Sequence, residues 1–172
     1  MLIIAFVLAA IGMRFLPHAW DFTPVMAMLL LAGSRMKRRQ LWIPVVALVA
    51  SDFALNLWVY HAPGGADQYF TWAAYLIVLA VASLTLRGSF KVPALAGASL
   101  GASTLFFLIS NFGVWVTGLM YPHTWAGLVT CFAMGVPFYR NAAAGDLVFT
   151  AAFFGLYALI EQRLRVAAPE AA

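Results

Sequence analysis

Charge is what this chain has least of. Only 9% of its 172 residues are charged, six acids against ten lysines and arginines, while 65% are hydrophobic. A soluble domain carries roughly 25% charged and about 45–50% apolar residues, so with a mean hydropathy of +0.92 the composition excludes one and points to a polytopic membrane protein. Cysteine is nearly absent as well: Cys131 stands alone, which rules out an intrachain disulfide and any multi-cysteine metal site. There is no nucleophile elbow, HExxH, P-loop or CxxC, and no general acid and base pair, so an enzyme is not expected. No repeat of 20 to 50 residues and no inverted relation between the two halves is visible. The N-terminal MLIIAFVLAAIGM lacks a basic n-region and an Ala-x-Ala site, and reads as a retained first span.

What is present fits one integral membrane domain over residues 1–172, an all-α bundle of six spans with short connections. Span 1 covers about Leu2 to Leu16 and stops at Pro17; span 2 runs from Phe22 to Gly33, with Thr23 as N-cap and Pro24 at the first helical position. Span 3 covers Leu41 to Tyr60, span 4 Tyr69 to Leu86, and span 5 starts at Pro93 and either reaches Met120 or breaks near Asn111-Phe-Gly113. Trp125 to Phe138 is only 14 residues and holds Gly135 and Pro137, so a re-entrant or interfacial segment is expected between spans 5 and 6. Span 6 covers Asp146 to Ile160. With both termini inside, Arg35, Lys37, Arg38, Arg39, Arg87, Lys91, Arg163 and Arg165 fall on the inner side and only Arg14 and Arg140 near the outer face. That is a strong positive-inside bias and places the chain in an inner membrane; the basic residues report topology, not a nucleic-acid partner.

The same topology puts His18, His61 and His123 on the outer side with many of the tyrosines and tryptophans. Separations of 43 and 62 residues match no ligand spacing, so no metal site is assigned; an axial contact to a corrinoid is a variant of the same idea. Polar groups inside spans are costly and are functional candidates by default. Arg14 near the end of span 1 is expected to snorkel outward or to find a carboxylate, for which Asp52 and Asp146 are the candidates. Asp52 has Asn56 one turn on; Asn111 is either interhelical glue or a ligand contact; Asp146 begins a helix, where an acid suits the dipole. Cys131 reads as a small buried hydrophobe. The stretch from Ser110 to Asp146 concentrates such groups and is expected to form one wall of an outward-opening pocket. The candidate ligand-binding set is Arg14, His18, Asp52, Asn111, Trp115, Tyr121, His123, Arg140, Asn141 and Asp146. Ala5-x-x-x-Ala9 and Gly97-x-x-x-Gly101 are small-residue motifs for close helix approach.

RFLPHAWDFTP at 14 to 24, Ser51-Asp52, and the run LFFLISNFGVWVTGLMYPHTWAGL through PFYRNAAAGDL, 105 to 147, resemble the motifs of a family of small bacterial membrane proteins of unknown function. Trp20-Asp21 stand where that family more usually has proline and asparagine. The family is in turn similar to the substrate-binding S subunits of energy-coupling-factor transporters, which capture vitamins or metal ions from outside. The resemblance implies six helices, ligand held by the outer loops and later helices, and docking of a coupling subunit, with its ATPases, at Ala5 and Ala9. The resulting expectation is a micronutrient-uptake binder; the alternative is a membrane scaffold or assembly factor with no small ligand, and an enzyme acting on lipid or isoprenoid ranks last.

Overall fold

The computed structural model describes residues 2–17, 19–88, 91–118 and 120–167. Every regular element among them is helical: α1 (Leu2–Met13), α2 (Val25–Arg35), a short 3-10 turn at Arg38–Gln40, α3 (Trp42–Trp58), α4 (Gln68–Thr85), α5 (Val92–Thr117) and α6 (Trp125–Ala167). The stretches Arg38–Trp58, Gln68–Thr85, Val92–Thr117 and Trp125–Val166 are long and apolar enough to cross a membrane, while α1 and α2 are shorter apolar helices. Composition and these four helices mark a multi-pass membrane protein of helical-bundle type.

The bundle is organised around α2. Its sequence, VMAMLLLAGSR, is apolar all round, and every residue from Val25 to Ser34 is buried. A helix with no polar face has to be enclosed by others. At 11 residues, about 16 Å, it is too short to span and instead serves as the core on which the rest packs. Gly33 allows α4 to come close: a Cβ there would lie 2.7 Å from that of Ala82 and 2.9 Å from the Leu79 carbonyl oxygen. Around α2 the other helices form a ring in which α1 touches α3, α3 touches α4, α4 touches α5 and α5 touches α6. Phe6 closes the ring by packing on Phe153 and Tyr157, at centroid distances of 5.2 and 6.4 Å.

Helix ends follow local chemistry. Before Pro17 the last turn of α1 tightens, with Arg14, Phe15 and Leu16 amides donating to Ile11, Gly12 and Met13 carbonyls at 3.2, 3.1 and 3.3 Å. Span 1 is thereby shortened to Met13. Helix α2 starts at Val25 with Pro24 before it and no side-chain cap, so the Thr23 cap does not form. Helix α5 runs unbroken through Asn111-Phe-Gly113.

The largest departure from the sequence reading is α6. The expected re-entrant segment and span 6 are one continuous 43-residue helix, about 64 Å long, with Pro137 inside it. Proline removes one helical hydrogen bond, that to the Ala133 carbonyl, but an adjacent helix makes such an interruption tolerable in a membrane helix. Here the adjacent helix is α5, which runs antiparallel to α6 through residue pairs from Ser103 and Asp146 to Asn111 and Cys131. Gly135 is part of that packing: a Cβ there would sit 2.5 Å from Asn111 Oδ1 and 2.9 Å from a Phe107 ring carbon.

The two ends of the bundle differ chemically. At one end Arg87 donates to the Ser83 and Met36 carbonyls at 2.9 and 3.0 Å, and Arg35 lies 5.6 Å from the Tyr157 ring centroid. Arg35, Lys37 and Gln40 also border a small cavity of about 230 Å³ beside Leu2 and Ile3. At the opposite end, where α1 and α3 finish and α2 and α4 begin, lies the larger cavity described next.

Candidate functional site

The cavity has a volume of about 590 Å³, within the roughly 300–1,000 Å³ usual for small-molecule sites. Residues 14 to 26 supply much of its wall, including Arg14, Pro17, Trp20, Asp21, Thr23 and Met26, with Leu55, Val59 and Tyr60 from the end of α3. Tyr75 from α4, Phe106 from α5, and Ala142 and Asp146 from α6 complete it.

Arg14 is placed by the tightened end of α1, which aims it at α3. Its guanidinium forms an ion pair with Asp52, donates to the Ser51 hydroxyl and reaches the Leu48 carbonyl at 3.5 Å. The second Asp52 oxygen accepts from the Trp72 indole at 2.8 Å, and Ser51 donates back to Leu48 at 2.7 Å. The Asp52 side chain is 6% exposed and that of Arg14 12%. The choice left open by the sequence, Asp52 or Asp146 as partner of Arg14, is therefore settled for Asp52. That pair ties α1, α3 and α4 together while leaving Arg14 on the cavity wall.

Asp146 sits on the far side in a buried polar seam between α5 and α6. The Ser103 hydroxyl lies 2.6 Å from its Oδ2 and 3.0 Å from the Ser99 carbonyl oxygen, with one proton shared between the two acceptors, and Thr150 donates to the Ser99 hydroxyl at 3.2 Å. Ser99 and Ser103 on α5, and Asp146 and Thr150 on α6, are each one turn apart, so both helices present a polar stripe to the other. All four are buried, Asp146 to 3% exposure. Asp146 lies well inside α6, twenty-one residues after Trp125, so a helix-start role does not apply.

The connection from α1 to α2 crosses this end and is pinned to α6. Trp20 packs on Phe138 with centroids 5.6 Å apart, Phe22 packs on Phe149 at 5.3 Å, and the Phe22 ring lies against Gly145. Asp21 adopts a left-handed backbone, φ 57°, a conformation that short polar side chains tolerate best among non-glycine residues.

Of the expected ligand set, the structure brings Arg14 and Asp146 to one cavity, with Asp52 behind Arg14. His18 lies outside the described residues. Asn111 is not in the lining: its amide donates to the Phe107 carbonyl at 2.9 Å and its own carbonyl accepts from Cys131 at 3.4 Å, so it serves the α5–α6 contact. Trp115, Tyr121 and His123 gather at the tip of that hairpin. There the Trp115 indole donates to the Pro122 carbonyl at 3.0 Å, the His123 ring meets Trp115 edge-on, and Thr124 accepts from the Gly127 amide as the helix cap. Arg140 and Asn141 are exposed and also outside the lining. Among the described residues, the stretch from Ser110 to Asp146 thus contributes Ala142 and Asp146 to the cavity; the expected wall is largely supplied by Arg14 to Pro17 and by Trp20, Asp21, Thr23, Val25 and Met26.

Sequence reasoning passed over Trp20, Asp21, Tyr60, Tyr75, Phe106 and the serine pair Ser99 and Ser103. The i,i+4 spacing of the serines against that of Asp146 and Thr150 was a usable signal. For Tyr75 the clue was Trp72 one turn earlier, two polar-tipped aromatics on the same face of an apolar span. Among the described residues no group of three or more His, Cys, Asp or Glu side chains comes together to hold a metal ion.

No curated protein and no solved structure matches the chain. A model described as a family of unknown function, DUF6580, matches residues 1–169, and the chain belongs to that family.

Proposed function

We propose that this protein is a solute-uptake binder of the bacterial inner membrane, taking a small micronutrient into the cavity beside Arg14 and Asp146 from the outer side. The observation that carries the reading is the meeting of costly polar side chains from α1 and α6 on one cavity of about 590 Å³ in an otherwise apolar bundle. Buried charges in a membrane protein mark ligand or ion paths by default. Sidedness is supported by the basic residues gathered at the opposite end, Arg35, Lys37 and Arg87 among them, which the positive-inside rule assigns to the cytoplasm together with both termini. The outlook of an S-type subunit adds a coupling partner with its ATPases. Ala5 and Ala9 are both exposed on α1, leaving that small-residue face uncovered by the chain's own helices. Binding and release, with no chemical step, account for the site.

A second reading, a scaffold or assembly factor without a ligand, draws on the polar groups that are closed off: Asn111 against α6, and Asp52 between Arg14 and Trp72. Native mass spectrometry of the gently purified protein separates the two. Uptake binding predicts a small co-purified mass on the wild type that is lost when Ala142→Trp fills the cavity. The scaffold reading predicts a bare protein in both cases.

A further inference from the structure

The cavity described above carries an imbalance of charge. Arg14 brings a cation to its wall, but that cation is already answered by Asp52, with Ser51 and the Leu48 carbonyl taking further donors. Asp146 has no such answer: its Oδ2 accepts from the neutral Ser103, its other neighbours in the seam are Ser99 and Thr150, and among the described residues no cation pairs with it. It is nonetheless 3% exposed and borders the cavity. A buried carboxylate without a counter-charge is expensive, the more so in a membrane, and is relieved by a proton or by a positive occupant of the cavity beside it.

Size and surface narrow the class. A volume of about 590 Å³ far exceeds a bare metal ion and suits an organic molecule. Trp20, Tyr60, Tyr75 and Phe106 put aromatic surface on the same lining, and aromatic faces attract organic cations. Resting on the solute-binding reading, we propose that the cavity selects a small aromatic or heterocyclic cation, its positive nitrogen held at the Asp146 carboxylate and its ring against the aromatic walls. An anion would meet the Asp146 carboxylate and a cation already paired, and is disfavoured.

Three probes of one ring but different charge test this: N1-methylnicotinamide (cation), nicotinamide (neutral) and nicotinate (anion), measured by equilibrium dialysis against the full chain in nanodiscs. The wild type is expected to bind the cation about tenfold more tightly than the neutral probe, with the anion weakest. Asp146→Asn, which keeps an oxygen for Ser103, removes the cation's advantage over the neutral probe. Asp146→Glu retains the preference, which separates loss of charge from loss of fold. Nicotinate binding as well as the cation, or a preference that survives in Asp146→Asn, overturns the assignment of charge and leaves solute binding standing. Failure of all three probes overturns it as well. Whether solute binding falls with it is then decided separately by the co-purified mass and its loss in Ala142→Trp.

Discussion

Removing either member of the Arg14–Asp52 pair has a calculable and unequal effect. Breaking a buried ion pair by deleting one partner costs about 3–5 kcal/mol, because the other charge is left buried, whereas replacing both by apolar groups is often neutral. The two partners here differ in their escape routes. Arg14 lines the cavity, so in Asp52→Leu its guanidinium can turn toward the cavity, and the cost falls near 3 kcal/mol, to which the stranded Trp72 indole adds about 1 kcal/mol. Asp52 is not in the cavity lining and is 5% exposed. In Arg14→Met it keeps, among the described residues, the Trp72 indole as its donor, and the cost approaches about 5 kcal/mol. The double variant Arg14→Met/Asp52→Leu should be less destabilised than either single one. Reversible unfolding in mixed SDS micelles, followed by tryptophan fluorescence, measures all three. Single variants within about 0.5 kcal/mol of the wild type, or a double variant whose loss equals the sum of the singles, would refute the view that the two charges hold α1 to α3.

Glycine positions give a paired test. Gly33→Ala drives a Cβ to within 2.7 Å of Ala82 and should cost about 1–3 kcal/mol by forcing α2 from α4, while Gly101→Ala meets nothing within 4 Å and should stabilise by about 0.5–1 kcal/mol in the same unfolding assay. Ser103→Ala strips Asp146 of its hydrogen-bond donor and should cost about 1–3 kcal/mol, read as a lowered thermal midpoint in detergent; Ser110→Ala, whose bond is a long 3.4 Å one to its own helix, should change little. Cys131 is 2% exposed, so a maleimide should leave the folded protein unmodified and add one mass after SDS denaturation.

Much of the bundle was legible because hydropathy sets the spans: α3 and α4 lie within two residues of the boundaries read from the sequence. What misled was punctuation. Gly135 and Pro137 read as a break, yet the glycine is there to admit Asn111 and the proline's lost bond is tolerated beside α5, so α6 continues through both. Small residues misled in the same way. Gly97 and Gly101 read as a packing motif, but among the described residues a Cβ at either would meet nothing within 4 Å, and polar α5–α6 contacts are made by Ser99 and Ser103. For the site, Arg14 and Asp146 stood out because a charge in an apolar span has few innocent explanations. The Trp115 to His123 cluster stood out for the same polar and aromatic content, but the Trp115 indole bonds the Pro122 carbonyl and its ring meets His123 at a hairpin tip outside the cavity lining. Local composition does not distinguish a polar group that closes a turn from one that faces a void. That difference depends on where the neighbouring helices lie, above all on the connection from Arg14 to Pro24 folding across to Phe138 and Phe149.

The claim that a cavity opens to the outside at the end away from the basic cluster is tested most directly by labelling single cysteines in intact cells with a membrane-impermeant thiosulfonate. In a Cys131→Ser background, Tyr60→Cys on the cavity lining should react from outside, and Arg38→Cys only after the membrane is permeabilised. Reaction at residue 38 and protection at residue 60 in intact cells would contradict it.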